Sequence, residues 1–129
     1  MMIKQKPKTL IIHLKRFKMD PNTLRYQKVS YRIPFPTELR IESALDEGSS
    51  HEGSVLYYLK GIVVHLGQGY SYGHYFALIK SHGRWVKMDD NYVTVEDEKY
   101  MKALYGSPMT ESQAWPTAYM LIYDSKSDE

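Results

Sequence analysis

Residues 67–90 read Gly67-Gln-Gly69-Tyr-Ser-Tyr-Gly73-His74-Tyr75-Phe76-Ala-Leu-Ile-Lys80-Ser81-His82-Gly83-Arg84-Trp85-Val-Lys-Met-Asp89-Asp90. Two apolar, aromatic-rich runs flank a short Ser-His-Gly break, the pattern of a β-hairpin. Loop length sets the register. A two-residue loop of Ser81 and His82 pairs Lys80 with Gly83 and puts His74 directly opposite Asp89. A three-residue loop, Ser81-His82-Gly83, puts His74 opposite Asp90, and Gly83 suits the left-handed position of such a loop. In either register an imidazole meets a carboxylate across neighbouring strands, with Cβ atoms about 4.5–5.5 Å apart. A carboxylate so placed fixes the imidazole tautomer and stabilises the imidazolium. That is the base-and-orienter half of a catalytic triad. The competing reading is a surface hairpin whose His–Asp contact is structural only.

The flank favours chemistry. Gly67, Gly69 and Gly73 lie just ahead of His74. Glycines remove side chains where another backbone must approach, and they let a loop move.

Outward from this stretch, the chain of 129 residues suits one domain, and its 43% hydrophobic and 25% charged residues suit a folded, soluble one. Seventeen Lys and Arg against 15 Asp and Glu leave +2, too balanced to imply nucleic acid. Twelve Tyr and two Trp point to a β-rich fold. They would also suit stacking on single-stranded RNA, but no RNP-type motif or basic stripe accompanies them. No apolar run approaches the ~20 residues of a membrane span. The start, Met-Met-Ile-Lys-Gln-Lys, has no signal-peptide core, so a cytoplasmic or nuclear protein is expected. There is no cysteine, which excludes disulfides, thiolate metal sites and a thiol nucleophile within these residues.

Residues 9–17 alternate, with Leu10, Ile12 and Leu14 on one side and Ile11, His13 and Lys15 on the other, as in a strand with one apolar face. Met19 to Thr23 is turn chemistry, and Leu24 to Tyr31 reads as the partner strand. Lys15 and Arg16 are expected as solvated charges, and His13 as a half-buried strand residue. Pro34 and Pro36 stop regular pairing. Glu38 to Leu45 suits a short strand or a helical turn, and Asp46 to Ser54 an exposed loop. Val55 to Leu66 is a central strand buried on both faces, with His65 packed near its end. Asn91 to Val95 is a turn and short strand. Glu96 to Tyr105 is the clearest helix, capped by Thr94, acidic in its first turn and ended by Gly106 and Pro108. Residues 107–117 form a loop, Ala118 to Asp124 the closing strand, and 125–129 a polar tail. The expected fold class is α+β: about six mainly antiparallel strands and one clear helix.

His13, His51, His65, His74 and His82 lack metal-site spacing, so no metal and no cofactor is expected. Ser71 and Ser81 lie near His74, but there is no Gly-x-Ser-x-Gly elbow. Phosphate-loop chemistry has no Gly-Lys-Ser/Thr.

Gly73-His74-Tyr75 followed by Trp85-Val-Lys-Met-Asp89-Asp90 resembles the histidine box of the ubiquitin-specific proteases, papain-like cysteine deubiquitinases. Three further stretches agree in order: Pro7 to Phe17, Tyr58 to His65 and Ala118 to Asp124. The resemblance covers most of residues 7–124. It implies the palm half of a papain-like fold, with residues 1–129 a single C-terminal portion of the catalytic domain. The thumb and its Cys box, which would precede Met1, are absent here. It further implies that His74 is general base and acid, Asp89 its orienter, and Asp90 an auxiliary carboxylate placing a water near the oxyanion. Gly67, Gly69 and Gly73 would gate a channel narrow enough to select glycine, and Tyr75 would line it. The implied reaction is thiol hydrolysis of the bond after the C-terminal Gly of ubiquitin. The implied partners are ubiquitin, ubiquitinated proteins and WD-repeat activators, with neither nucleic acid nor membrane. The alternative is a non-catalytic ubiquitin-binding module or regulatory pseudoenzyme. Strands that meet a thumb would also leave an apolar face exposed on the His74 side.

Overall fold

Val55–Leu66, β5, is the strand on which the others assemble. Its run of Val, Leu, Tyr and Ile suits a pleated, buried surface, and Tyr57, Leu59, Ile62 and Val64 are buried. The computed structural model describes residues 6–29, 32–42, 54–67, 73–106 and 115–126. Along one edge of β5 runs β9, Thr117–Asp124. The other edge is shared by β4, Glu38–Ile41, and β6, His74–Ser81. β6 leads to β7, Arg84–Asp89, and β8, Tyr92–Glu96, while β1, Thr9–His13, pairs with the far side of β9. Every pairing is antiparallel, as an α+β sheet with hairpin connections requires.

The strand count exceeds the expected six. Among the described residues there are nine, because the short segments β4 and β8 are strands in their own right and the run over 9–17 breaks in two. β1 joins the large sheet, whereas β2, Phe17–Met19, pairs with β3, Tyr26–Lys28, in a sheet of their own. The one helix, α1, is Glu98–Ala103. It starts two residues later than expected because Glu96 is still paired with Trp85. Asp97, not Thr94, caps it, accepting a hydrogen bond from the Tyr100 amide at 2.8 Å. Met101 and Leu104 carry the helix into the core beside Trp85 and Leu59. The loop expected over 46–54 falls, apart from Ser54, outside the described residues, as does most of the one over 107–117. Among the described residues no helix is long and apolar enough to cross a membrane.

Two cations tie the peripheral segments to this sheet. Arg16 is not solvated as expected but fully buried. Its guanidinium fans out to three main-chain carbonyls, with Nη2 donating to Tyr105 at 2.6 Å, Nη1 to Val29 and Nε to Ala118 at 3.3 Å each. A planar group with five donors can serve three carbonyls at once in one fixed geometry. Lys28 is 2% exposed, and its ammonium donates to His65 O at 3.0 Å and Trp115 O at 2.8 Å. Burial, with the Arg16 charge adding to it, lowers the Lys28 pKa to about 8.

Exposed apolar side chains lie on both faces of the sheet. Alternation and pairing put Leu66 and Tyr92 on the His74 face, but Ile79, Met88, Val93 and Val95 on the opposite one. The expected exposure on the His74 side is thus only part of it.

Lys28→Met removes a donor from two carbonyls and is expected to cost about 1–3 kcal/mol, read as a lower urea midpoint. Lys28 also sets a pH dependence. Between about 8 and the ordinary 10.5 the unfolded chain holds this proton and the folded chain does not. Stability therefore gains from this group as pH rises through that window. Lys28→Met should remove the gain, measurable as denaturation midpoints across pH 7–11 (on the order of the reference lysine range).

Candidate active site

The β6–β7 hairpin follows neither register expected from its sequence. Ser81 stays in the strand and pairs with Arg84, so the loop is His82-Gly83. Both loop residues have positive φ, 52° and 77°, as a two-residue turn matched to strand twist requires. Relative to a Ser81-His82 loop the partners shift by two positions. Side chains alternate with period two, so a two-position shift changes neighbours without changing faces. His74 and Asp89 thus remain on one face, as diagonal rather than direct neighbours. Their side chains meet, His74 Nε2 against Asp89 Oδ1.

Asp90 reaches the same place by another route. β7 ends at Asp89, which pairs with Tyr92 across the turn Asp90-Asn91. Strict alternation would send Asp90 to the opposite face. Instead it takes a left-handed conformation, φ 52°, which Asp tolerates better than most residues. Donor atoms of His74, Asp89 and Asp90 then all lie within 4.8 Å of one another. The His74 and Asp89 side chains are 39% and 26% exposed, open to a reactant yet held by the sheet.

The hydrogen bond to Asp89 holds His74 above the usual imidazole value. Desolvation opposes this, the charges of Asp89 and Asp90 add to it, and the Lys87 ammonium works against it. With Nε2–H donated to Asp89, Nδ1 is the nitrogen left to accept a proton. The arrangement suits a proton-transfer couple, an imidazole oriented by a carboxylate with its second nitrogen free to take a proton.

The glycines behave as spacers at the mouth of the β5–β6 connection. Leu66 pairs with His74, and a Cβ on Gly67 would lie 3.3 Å from the Gly73 Cα. Gly73 has φ 129°, and a Cβ there would fall 2.6 Å from His65 Nε2 and 3.0 Å from Leu66 O. Gly69 lies outside the described residues. Tyr75 points to the face opposite His74. Its ring packs edge-on against His65 at 4.8 Å and Tyr119 at 5.7 Å. His65 is packed as expected, fully buried and flanked also by Phe17. His13, expected half-buried, is exposed with its ring against Tyr119 at 4.5 Å. Tyr119 joins this cluster from a bulge, where the β9 partners of Val63 and Val64 skip from Met120 to Ala118. So the structure brings together His74, Asp89 and Asp90, and separately Gly67 and Gly73, while Tyr75 stands apart on the other face. Lys87 was not anticipated. Its two-residue offset from Asp89 on one strand is the signal that finds it.

Gly73→Ala should be strongly destabilising, since it adds a strained φ to a clash with a buried ring. A cost of about 1–3 kcal/mol from the backbone alone is expected in thermal or urea unfolding. Histidine NMR titrations should show Asp89→Asn lowering the His74 pKa further than Asp90→Asn. Asp89 contributes a hydrogen bond and a charge, Asp90 a charge only. The sign for stability follows. A raised folded pKa contributes stabilisation that is present below the ordinary value and lost as pH rises through the folded one.

The ubiquitin carboxyl-terminal hydrolase family model matches residues 1–123. Ubiquitin carboxyl-terminal hydrolase 4 of Arabidopsis thaliana is 41% identical over 125 residues, and ubiquitin carboxyl-terminal hydrolase 12 of Salmo salar 39% over 126. These alignments take in 97% and 98% of this chain, which spans about a third, 33%, of each relative's length. Among solved structures, the SAGA Ubp8/Sgf11/Sus1/Sgf73 DUB module bound to ubiquitin aldehyde superposes with a TM-score of 0.71 at 28% identity. A yeast SAGA DUB module gives 0.69 at 30%. Each covers 94% of this chain and 25% of the solved one. A family match over nearly the whole chain, an antiparallel sheet shared with solved members and a histidine box folded into a His–Asp couple agree: the chain belongs to the ubiquitin carboxyl-terminal hydrolase family.

Proposed function

We propose that this chain is the histidine-bearing part of a deubiquitinase that cleaves the bond after the C-terminal Gly of ubiquitin by thiol catalysis. The observation that carries the reading is the contact of His74 Nε2 with Asp89 on adjoining strands, with Asp90 beside them. A pure binding module has no use for an oriented base. The relatives' names and the ubiquitin aldehyde in the solved DUB module support the substrate.

In this mechanism His74 takes the thiol proton at Nδ1 of a cysteine supplied from outside these 129 residues, which contain none. The thiolate attacks the carbonyl carbon of the ubiquitin C-terminus, and the imidazolium protonates the departing amine. Water then attacks the thioester, His74 takes its proton, and the thiol is regenerated. Asp89 holds the ring in the productive tautomer throughout. Asp90 places a water near the oxyanion. Gly67, Gly69 and Gly73 are assigned to keep the approach narrow, while Tyr75, on the opposite face of β6, takes no part in its lining. Ubiquitinated proteins and WD-repeat activators are the proposed partners, and the cytoplasm or nucleus the proposed location.

The test uses a ubiquitin–fluorophore amide. The purified chain is expected to give no turnover. Joined to the Cys-bearing portion of a family member it should turn over, and His74→Ala should abolish that activity. Turnover by the chain alone, lost in His74→Ala, would mean that another nucleophile operates. In the completed enzyme Asp89→Ala is expected to lower kcat by roughly 10⁴. Asp90→Ala should lower it by about 10²–10³. A larger loss for Asp90→Ala would exchange their roles. A completed enzyme that binds ubiquitin without cleaving it would favour the binding-module alternative.

A further inference from the structure

Lys87 lies on the same face of β7 as Asp89, two residues before it, and pairs across to Leu78. Its ammonium is held 4.5 Å from the centroid of the buried Phe76 ring and 5.4 Å from that of Tyr100 on α1. Phe76 is also a neighbour of the catalytic imidazole, with ring centroids 6.3 Å apart. The cation therefore shares an aromatic wall with His74. Two rings from different elements hold it there, so it is a fixed charge and not a freely waving surface lysine.

The groups that face His74 are few. From β7 come Asp89 and Lys87, and from the following turn Asp90. Tyr92 of β8 pairs with Asp89, Tyr100 approaches from α1 behind Lys87, and β5 offers the uncharged Leu66. Among the described residues two carboxylates thus act on one imidazole, and the Lys87 ammonium, alongside desolvation of the ring, opposes them. Without that ammonium, the two carboxylates would hold the proton on the ring more firmly, making it a poorer acceptor for a thiol proton.

We propose that Lys87 is a positioning residue for this site: its ammonium, caged by Phe76 and Tyr100 beside the His74 ring, tempers the pull of Asp89 and Asp90 on the imidazole proton. The inference rests on the reading of His74 as a catalytic base for its purpose, but not for its test. Its action on His74 is the same whether or not the site cleaves anything.

The experiment is an NMR titration of the histidines in the 129-residue chain. Lys87→Met and Lys87→Gln both remove the charge, one keeping the apolar stem and the other a polar end. Both should raise the His74 midpoint, by about a few tenths of a pH unit for a screened charge at this range. Lys87→Arg, which keeps the charge and stacks on aromatics, should stay at the wild-type value. At ~1 M salt the differences should shrink, since screening is then short-ranged. A purely structural lysine would move the unfolding temperature without this pattern. An unmoved or lowered midpoint in the charge-removing variants overturns the proposal, and so does an equal rise in Lys87→Arg. If one charge-removing variant fails to fold, the other decides. In the enzyme completed with its cysteine, the acid limb of the kcat/KM profile should move up with the titration. A moved titration in a completed enzyme without turnover would leave Lys87's role standing and count against the hydrolytic reading.

Discussion

Buried positive charge satisfied by main-chain carbonyls is the constraint on which this half-site rests. Arg16 joins segments 102 residues apart when it donates to Ala118, and Lys28 reaches 37 residues on to His65 and 87 on to Trp115. Neither contact is local, so neither forms until the sheet has closed around it. Ordering so many distant segments carries an entropic cost, and a charge-assisted hydrogen bond is one of the few contacts strong enough to offset it at a single point. Lys28 grips the carbonyl of His65, one residue before the Leu66 that pairs with His74. The strand end that presents the base is thereby fixed from behind.

The same region joins packing to chemistry. His65 backs onto Gly73 on one side and meets Phe17 and Tyr75 on the others. That leaves the histidine box little slack. Gly73 admits the buried ring, His74 turns to the carboxylates, and Tyr75 closes over the opposite face. Three consecutive residues serve three different surfaces because a strand alternates and a glycine has no side chain. The site's rigidity comes from a sheet and its satellites.

Much of this was legible in the sequence. β5 could be read from its long apolar run rich in β-branched and aromatic residues, the hairpin from its two aromatic-rich strands, and the His–carboxylate meeting from their spacing. Residue pattern reports which face a side chain takes, and that was enough to bring His74 to the Asp89-Asp90 pair, with the family resemblance choosing Asp89. It does not report which two residues form the turn, so the register differs by two from that of a Ser81-His82 loop and by one from that of a Ser81-His82-Gly83 loop. It also misplaced Arg16. A charged residue beside an apolar strand is ordinarily solvated, and the carbonyls that bury this one lie far along the chain, where no local pattern can see them. Asp97 displaced Thr94 as the helix cap because pairing in β8 outlasted the helical pattern. Lys87 was overlooked because its rings come from two other elements.

The two-residue turn at His82-Gly83 has a consequence for how such proteins tolerate insertions and deletions. Removing or adding two residues at that tip slides one strand along the other but leaves every side chain facing its old compartment. A single-residue deletion acts on the sheet as a frameshift acts on a coding sequence. Everything downstream on β7 changes sides, carrying Asp89 to the far face and the aromatic Trp85 out of the core. The hairpin tip lies at the far end of β6 from His74, and nothing there touches a reactant. Length variation at this remote loop should therefore accumulate in steps of two, since an odd step would exchange Asp89 for Asp90 on the histidine's face and still turn Trp85 out of the core.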